Sequence, residues 1–476
     1  MSSITTAISQ KILGNQDGSI SAQTSGEIDA KLFLYKDGRK MQTPSGADDL
    51  ASFLRGFELY ESMATACMEL RLILEDAAGL FSSQITGSEQ FGLQIKTAII
   101  DRTYRFRCYQ IESRVRTNQN TEVYLLNLVS EEFSRNEITN VFGNSETIFK
   151  NKNEASEIIR TVMGKQYLNS GKKLYLEESM NKQAFIAPNW RPFDLIYWVS
   201  QRAIRKSGTG KKLQNAFAFF ENSAGYHFKS VDTLIERINE QEDNPTNLSS
   251  ELADYRLYTY TYQPKKISSN QGVDQFTING ISFPKERDYL VGLRNGNFAG
   301  YSVGFDPVFI TRSRMGTSTD LSADSYNYNM KDIWKQMSHL NKLSQNPQVT
   351  LDPTIQQVQK TPKRVRYEMI PNQIFDPKFK NAPQRNYEQL VELQAYQWMR
   401  VESLKNVQLT IEVPGNLDLY AGGGVNVKIP SNEREGGTVK IDKKYSGRYI
   451  IAALAHKSTG GSMTTELQLM KDTLQI

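Results

Sequence analysis

The stretch GRYIIAALAHKSTGGSMTTELQLMKD, residues Gly447 to Asp472, sets the interpretation of the whole chain. It predicts two β-strands joined by a small polar loop, because apolar and polar residues alternate along both segments. His456 stands at the end of the first predicted strand, where it would be either a structural residue or a catalytic one. The rest of the sequence bears on which of the two it is.

A similar hairpin occurs much earlier in the chain, at Tyr104 to Val129. There YRFRCYQIESRV and TEVYLLNLV flank the polar loop RTNQNT. An earlier strand recurs as well, since VQLTIEV, Val407 to Val413, aligns without a gap with MELRLIL, Met68 to Leu74. Both copies show the period of two that indicates a strand with one buried face.

A further pair of strands completes the repeat. VNVKIP aligns with FGLQIK, so that Val425 corresponds to Phe91 and Ile429 to Ile95. Four strands therefore recur in the same order, and each set closes with the long hairpin. This order predicts two antiparallel β-barrels of one design in a single chain.

Length and composition agree with a large, β-rich protein. The chain has 476 residues, a length typical of about three or four domains. Hydrophobic residues make up 39% and charged residues 23%, which is enough apolar material for several cores. Aromatic residues make up 10%, dominated by 23 Tyr and 22 Phe, and they favour pleated sheets.

Between the two sets of strands the pattern becomes helical. EASEIIRTVMGKQYL and RPFDLIYWVSQRAIRK predict helices, the second with Pro192 near its first turn. NAFAFFENSAGYHF predicts a compact hairpin that turns around Asn222 to Gly225. SVDTLIERINEQ predicts a helix with Ser230 as its N-cap. Together these segments predict a small α/β domain.

The second set of strands is interrupted. RLYTYTYQ, Arg256 to Gln263, is its predicted first strand, and a long segment follows before the repeat resumes. That segment contains a predicted helix over Asn329 to Leu343 and a Pro-rich extended run over Gln345 to Pro383, and RNYEQLVELQAYQWMRVESLK then predicts another helix. The fold class is thus α+β and β-dominated. The predicted organisation is an extended arm at 1–27, a first β-barrel at 28–133, a small α/β domain at 134–247, an insertion at 264–395, and a second β-barrel formed by 248–263 and 396–476.

The charge distribution argues against a dedicated nucleic-acid-binding protein. The net charge of +5 is a slight basic excess, whereas such proteins usually have a stronger bias or a basic stripe. The densest basic run is KTPKRVR, Lys360 to Arg366. We interpret it as a solvated loop broken by Pro362, with a contact to a phosphate or an acidic partner as the alternative.

Cysteine usage and hydropathy bear on the compartment. Two cysteines, Cys67 and Cys108, are no disulfide framework in a chain of this size. Both lie in predicted strands among apolar neighbours, so we expect buried thiols in a protein that folds in reducing cytoplasm. No stretch approaches the roughly 18 consecutive apolar residues of a transmembrane helix. The N-terminal segment has no long apolar core, so no secretory signal is expected.

The sequence offers no clear catalytic or ligand-binding motif. KSGTGKKL, Lys206 to Leu213, lacks the spacing of a phosphate-binding loop. His227 is expected in the aromatic hairpin and His339 on a helix, and the histidines show neither HxxxH nor HExxH spacing. His456 corresponds to the polar stretch Glu112 to Arg114 of the first hairpin, so we interpret it as a structural strand-end residue. We therefore predict no catalytic residue, no cofactor and no metal ligand.

Three passages resemble the central baseplate hub protein of contractile-tailed bacteriophages of the T-even type, a family related to the hub part of type VI secretion spikes. RPFDLIYWVSQRAI with NAFAFFENSAGYHFKSVDTLI is similar to the helix, hairpin and helix that this family carries between its barrels. TEVYLLNLVSEEFSRNE is similar to the strand that closes the first barrel, and SGRYIIAALAHKSTGGSMTTELQLMKD to the terminal hairpin. The resemblance runs from about residue 28 to the end of the sequence, and the segment 264–395 matches it poorly.

The resemblance implies a structural virion protein that assembles as a homotrimer, made in the host bacterial cytoplasm and located in the tail baseplate. Two barrels in each of three chains would give six similar barrels around one axis. Such a ring would join a threefold spike to the sixfold tail tube, with subunit contacts largely between strand edges. The implied partners are a separate spike protein, tail-tube or tube-initiator proteins, a tape-measure protein and baseplate wedge proteins. DNA would contact the ring only in transit through its bore.

Two other interpretations stay open at this point. The chain could be another tail-tip or tube-terminating component built from the same barrels. It could also be an enzyme such as a cell-wall hydrolase, since paired carboxylates at glycosidase separation leave no mark in a sequence.

Overall fold

The computed structural model does not describe every part of the chain. The predicted arm up to residue 25 and residues 207–213 of the KSGTGKKL segment lie outside the described residues, as do parts of the predicted insertion. The described residues are 26–36, 38–43, 46–79, 81, 85–97, 100–142, 148–149, 153–206, 214–243, 257–262, 275–284, 289–306, 311–312, 326–342, 344–347, 352–358, 364–369, 377–435 and 438–475.

The first part of the chain forms strands whose buried residues alternate. In the strand that contains MELRLIL, Leu70, Leu72 and Leu74 are all buried on one face. The period of two in the sequence therefore becomes a sheet with one face in a core. The strands are β1 (Asp29–Lys36), β2 (Arg39–Lys40), β3 (Leu54–Ser62), β4 (Glu69–Asp76), β5 (Gln90–Lys96), β6 (Asp101–Arg116) and β7 (Glu122–Ser130), with a short 3-10 helix at Ala51–Phe53.

The middle of the chain combines helices with short strands around a separate core. Pro192 stands in the first turn of its helix, and Ser230 Oγ accepts the Thr233 amide at 3.2 Å and so caps the next one. The predicted hairpin turn at Asn222 to Gly225 is present. The elements are α1 (Glu131–Ile138), β8 (Val141–Phe142), β9 (Ile148–Phe149), α2 (Ala155–Met163), β10 (Leu174–Leu176), β11 (Phe185–Ile186), β12 (Pro188–Trp190), α3 (Pro192–Ser200), β13 (Phe217–Asn222), β14 (Gly225–Ser230) and α4 (Val231–Asp243).

The last part of the chain contains a small second sheet and then returns to long strands. β17 is the centre of the small sheet, with β18, β19 and β21 paired to it. The elements are β15 (Tyr258–Thr261), β16 (Gly280–Ser282), α5 (Tyr289–Asn295), β17 (Ala299–Asp306), β18 (Thr311–Arg312), β19 (Tyr326–Asn329), α6 (Met330–Trp334), β20 (Ser344–Gln345), α7 (Pro353–Val358), β21 (Arg364–Met369), a 3-10 helix at Pro377–Phe379, α8 (Pro383–Leu404), β22 (Val407–Pro414), β23 (Gly424–Lys428), β24 (Pro430–Glu435), β25 (Thr438–Ile441), β26 (Gly447–Thr459), β27 (Ser462–Lys471) and β28 (Leu474–Gln475).

Three predictions for the segment between β16 and β22 are wrong. The run over Gln345 to Pro383 was predicted as extended but contains the helix α7. The helix predicted over Asn329 to Leu343 ends at Trp334 and gives way to turns, which carry His339 into a buried cluster described below. The basic run was predicted as a loop, but its last three residues open β21. Arg366 lies opposite Ser302 of β17 there, and its guanidinium carbon lies 3.2 Å from the centroid of the Trp398 ring.

The two sets of long strands share one hydrogen-bonding order. The order is β3-β4-β7-β6-β5-β1 in the first set and β16-β22-β27-β26-β23-β15 in the second. Six strands recur where the sequence repeat shows four, because β3 with β16 and β1 with β15 have no visible similarity. The sets differ in the direction of one strand pair. β1 runs antiparallel to β5, whereas β15 runs parallel to β23.

The registers agree with the sequence alignment of the two sets. Leu70 lies opposite Leu128 in the first set, and Leu409 lies opposite Leu469 in the second. Both hairpins also carry a β-bulge at the same place, directly after Cys108 in β6 and directly after the residue that matches it in β26. The shared bulge bends each long strand at the same place, so that the second half of both strands changes direction in the same way.

The β-dominated fold is confirmed, but the two sets do not form separate closed barrels within the described ranges. β3 of the first set pairs antiparallel with β26 of the second, so the strand path runs from β16 to β2 through one 13-stranded sheet. Each set keeps its own core, one around Leu72 and Phe91 and the other around Ile411 and Val425. The sheet stays continuous because the edge of β3 is occupied by the second set.

Replacing Gly56 with Ala tests how closely the two sets approach each other. A Cβ at this position would lie 2.7 Å from the carbonyl oxygen of Ser458 on β26, so the strands would have to separate. We expect the free energy of unfolding to fall by about 1–3 kcal/mol in urea titrations. Gly461→Ala is the control, because a Cβ there meets no atom of the described residues within 4 Å. Equal losses in the two variants would contradict the close approach.

Candidate assembly site

The junction between the two strand sets is the best candidate for a functional site. Seven residues of β26 pair with seven of β3, from Ala453 opposite Ser62 to Thr459 opposite Gly56. Backbone hydrogen bonds of this kind give both geometry and affinity when sheet edges meet. The bulge after Ile451 lets β26 continue past β23, which pairs only with its first half.

His456 lies inside this junction. It is 1% exposed and belongs to the body of β26, which continues to Thr459, so the strand-end position predicted for it is wrong. Its Nδ1 lies 2.9 Å from Oγ1 of Thr465 on the neighbouring strand. Burial, helped by the nearby charge of Arg102 and opposed by a backbone contact from Leu419, lowers its pKa to about 3. His456 is therefore an uncharged core residue at neutral pH.

The first strand set carries an arginine at the position of His456. His456 lies opposite Thr465, four residues before Leu469, and Arg114 lies opposite Tyr124, four residues before Leu128. Arg114 is exposed and donates to the Glu122 carboxylate, whereas His456 is buried and lies opposite Leu59 of β3 in the same sheet. The histidine thus stands where β26 is paired on both sides, and the arginine where β6 is paired with β7 alone among the described strands.

Glu61 of β3 ties the junction to two loops. Its carboxylate accepts the Ser223 amide at 2.9 Å and the Ala421 amide at 3.0 Å. Burial raises its pKa to about 7, against the lowering effect of these hydrogen bonds and of Arg102. Arg102 in turn donates to the carbonyl of Leu417 at 2.8 Å. One buried carboxyl group therefore holds three separate chain segments together.

A second buried cluster joins the middle of the chain to the first strand set. Lys172 Nζ lies 2.6 Å from Oε2 of Glu132 and also contacts Glu221. The other oxygen of Glu221 accepts the backbone amide of Met68 at 3.2 Å and the hydroxyl of Tyr226 at 3.1 Å. Burial raises the pKa of Glu221 although the lysine opposes this. The ammonium group offsets part of the free-energy cost of burying two carboxylates.

A third cluster joins three parts of the chain that are far apart in sequence. His339 Nδ1 lies 2.7 Å from Asp232 Oδ1 on α4, and its Nε2 lies 3.2 Å from Asp472 Oδ1. Arg400 on α8 lies 2.7 Å from Asp472 Oδ2 and 3.2 Å from Asp232 Oδ1. The charges balance when the imidazole is protonated. Burial alone would lower the pKa of His339, but the two aspartates raise it to about 9.

The remaining histidine and the two cysteines that the sequence pointed to are packed in the interior. His227 stacks between the rings of Tyr175 and Phe220 at centroid distances of 4.7 and 5.1 Å, as expected for the aromatic hairpin. Cys67 and Cys108 are free and buried, as predicted, although Cys67 precedes β4 instead of lying within it. Burial raises the pKa of their thiols to about 12 and about 11, which keeps both protonated at neutral pH.

The side chains of the junction and of the buried clusters have structural roles. A hydroxyl beside an imidazole also occurs in nucleophilic catalysis, but Thr465 and His456 are at most 1% exposed, so a substrate cannot reach them. In the part of the chain that the structure describes, no group of three or more His, Cys, Asp and Glu side chains could hold a metal ion. None of the described helices is both long and apolar enough to cross a membrane.

Sequence reasoning did not identify the members of the buried clusters. One signal was available in α8, where Tyr396, Arg400 and Ser403 share the spacing of a single helical face. An arginine on such a face next to the apolar Met399 indicates a buried ion pair. Its partner Asp232 lies more than 160 residues away, so the pairing itself has no signature in the sequence.

No family model matches this sequence, and no curated protein matches it either. Solved structures with a similar fold do exist. The chain is similar to the tail protein from Neisseria meningitidis MC58, with 10% identity, a TM-score of 0.47, and coverage of 93% of this chain and 97% of that one. It is also similar to the 43 kDa tail protein of prophage MuSo2 from Shewanella oneidensis, with 7% identity, a TM-score of 0.46, and coverage of 93% and 98%.

A third similarity is to a chain of the Francisella PdpA-VgrG complex. The identity is 9% and the TM-score 0.44, with coverage of 96% of this chain and 54% of that one. At these identities, and with TM-scores below 0.5, the similarities decide neither the family nor the function of this chain.

Replacing His339 with Gln tests the third cluster, because glutamine keeps hydrogen-bonding atoms but takes no proton. The pKa of His339 in the folded protein, about 9, exceeds its ordinary value of 6.5. The charged imidazole therefore stabilises the fold fully below pH 6.5, and this contribution is lost as the pH rises through 9. We expect the variant to be less stable by about 2 kcal/mol at about pH 7, with most of that deficit gone at about pH 9.5.

His456→Gln is the matched control in the same urea titrations. The pKa of His456 is lowered to about 3, so its contribution is lost only as the pH falls below its ordinary value of 6.5. The deficit of this control should be the same at both pH values. A His339→Gln deficit that does not change with pH would show that the imidazole is uncharged in the cluster.

Proposed function

We propose that the chain is the central hub of a contractile-tail baseplate, a structural protein that assembles as a homotrimer. The ring of three chains joins a threefold spike, supplied by a separate polypeptide, to the sixfold tail tube. Tube or tube-initiator proteins bind on one side of the ring, the tape-measure protein and DNA pass through its bore, and wedge proteins are candidates for its periphery.

The observation that carries this proposal is the doubled strand order. Two sets with the same six-strand order lie side by side in one sheet and meet through β3 and β26. A chain with two equivalent units needs only three copies to present six units around an axis. This is a direct route from threefold to sixfold quasi-symmetry, which an adaptor between a spike and a tube requires.

The buried clusters support a structural role. Glu61, Lys172 and Arg400 each hold a network that joins chain segments distant in sequence. Removing one partner of such a network leaves an uncompensated buried charge, so the relative placement of these segments is strongly specified. A protein that transmits force between a spike and a tube benefits from segments that cannot shift separately.

Two observations would favour other functions. A position away from the axis of the tail, or at the end of the tube, would indicate that the chain is another tail component built from the same strand sets. A cell-wall hydrolase would clear peptidoglycan in a zymogram of the isolated chain. The buried state of His456 and Thr465 gives no support to the second alternative.

Light scattering of the purified chain, alone and with the spike of the same particle, tests the trimer. We expect a complex that contains three chains of 54.1 kDa. Cryo-microscopy of the intact tail tests the position, with density for the chain expected on the axis directly above the spike. A chain that stays monomeric with the spike present, or density away from the axis, would contradict the proposal.

A further inference from the structure

We infer that neighbouring copies of this chain join by repeating the β3–β26 junction with different strands. The tip of β6 in one copy pairs antiparallel with β16 of the next. This inference rests on the proposed trimer and adds the two surfaces that meet, together with their register. Each chain would then hold one junction internally and share one with each neighbour.

The first surface is the tip of β6. β26 pairs with β27 on one side and with β3 on the other. Its counterpart β6 pairs with β7 in the same way, with Val115 opposite Val123. Among the described residues, no strand pairs with the other side of β6 from Ser113 to Arg116. The edge that β26 uses in the junction is therefore open in β6.

The second surface is the outer side of β16. Phe57 of β3 lies opposite Leu72, and Ile281 of β16 lies opposite Ile411, which aligns with Leu72. β16 is thus the counterpart of β3. Its outer side has a bridge from Thr277 to Thr261 just before the strand, and from Gly280 onward no other described strand pairs there.

A pair of glycines supports this correspondence. The alignment that matches Phe57 with Ile281 also matches Gly56 with Gly280. Gly56 is required by the junction, because a Cβ would lie 2.7 Å from a carbonyl oxygen of β26. At Gly280 a Cβ would meet, among the described residues, only the Glu412 side chain, at 3.6 Å. Gly280 leaves room for a further strand, and none of the described strands occupies that room.

Apolar exposure is found on both surfaces. Val115 on the tip of β6 is 52% exposed, and Phe283 directly after β16 is 49% exposed. Large apolar side chains on two open strand edges are an aggregation hazard unless a partner covers them. A second copy of the chain would cover each of them with the other type of edge.

The internal junction predicts the register between copies. Lys457 lies opposite Glu58, and their counterparts are Val115 and Ser282. Val115 of one copy should therefore lie opposite Ser282 of the next. The contact is head-to-tail, since each copy offers a different edge on its two sides. Such a contact closes into a ring only if the rotation fits, and three copies supply six junctions in alternation.

Disulfide trapping tests this register. A chain with Val115→Cys and Ser282→Cys should form covalent trimers under mild oxidation, seen as three times 54.1 kDa on a non-reducing gel. Residues directly opposite in antiparallel strands have Cα atoms about 4.5–5.5 Å apart, which suits a disulfide. The native thiols add little background, because burial raises the pKa of Cys67 to about 12 and that of Cys108 to about 11.

Two further double variants serve as controls. Glu58→Cys with Lys457→Cys is the internal equivalent and should form a disulfide within one chain. Val115→Cys with Phe283→Cys is shifted by one residue, which places the two side chains on opposite faces of the sheet, and should give few covalent oligomers. Light scattering of each variant before oxidation reports the oligomeric state independently.

The outcomes separate this inference from the proposed trimer. The junction is supported if the variant with cysteine at positions 115 and 282 forms disulfide-linked trimers and the variant with cysteine at 115 and 283 does not. If the first variant is trimeric but forms no disulfide, while the internal control does, the junction is overturned and the trimer is unaffected. A chain that is monomeric by light scattering at every concentration, with the spike present, overturns both.

Gly280→Ala provides a test without cysteine chemistry. Within the described part of the chain the added methyl group meets one atom, at ordinary contact distance, so the unfolding midpoint should match that of the parent. In the trimer it would press on a carbonyl oxygen of the neighbouring β6, and we expect the trimer to dissociate about tenfold more readily or worse. Unchanged trimer affinity would show that no strand approaches Gly280.

Discussion

The structure depends on the pairing of β3 with β26 more than on any other contact. A sheet edge exposes a row of hydrogen-bonding groups that must be paired, covered or made unattractive to other strands. Here the edge of the first strand set is paired with the second set, over seven residue pairs from Gly56 to Ser62. Because this edge is occupied, the path of hydrogen bonds runs on through the second set. Gly56 follows from that approach, because a Cβ there would lie 2.7 Å from the carbonyl oxygen of Ser458.

The buried charged clusters position the segments that strand pairing does not fix. Backbone pairing fixes two strands relative to each other, but it says little about where the helices and the small sheet lie. Glu61, Lys172 and Arg400 each connect segments that strand pairing leaves independent. Compared with apolar residues of similar volume, such clusters contribute little net stability, although removing one charged partner is costly. Their effect is on specificity, since any other arrangement would leave a charge buried without a partner.

The two strand sets are alike in order and unlike in detail. Equivalent positions carry residues suited to different neighbours, as Arg114 and His456 show. The arginine faces an open surface and is paired with Glu122, whereas the histidine is enclosed and uncharged.

The sequence by itself determined the local structure, and only the tertiary structure decided how the parts join. The period of two in MELRLIL and VQLTIEV was enough to place the strands, their buried faces and their repeat, because side-chain alternation is a local property. The capping serine, the hairpin turn and α8 were also local and were predicted correctly. The edge-to-edge pairing of the two sets and the cluster around His339 could not be predicted. Both bring together residues more than 100 positions apart, and the short range of hydrogen bonds and ion pairs leaves no periodic trace of such contacts in the sequence.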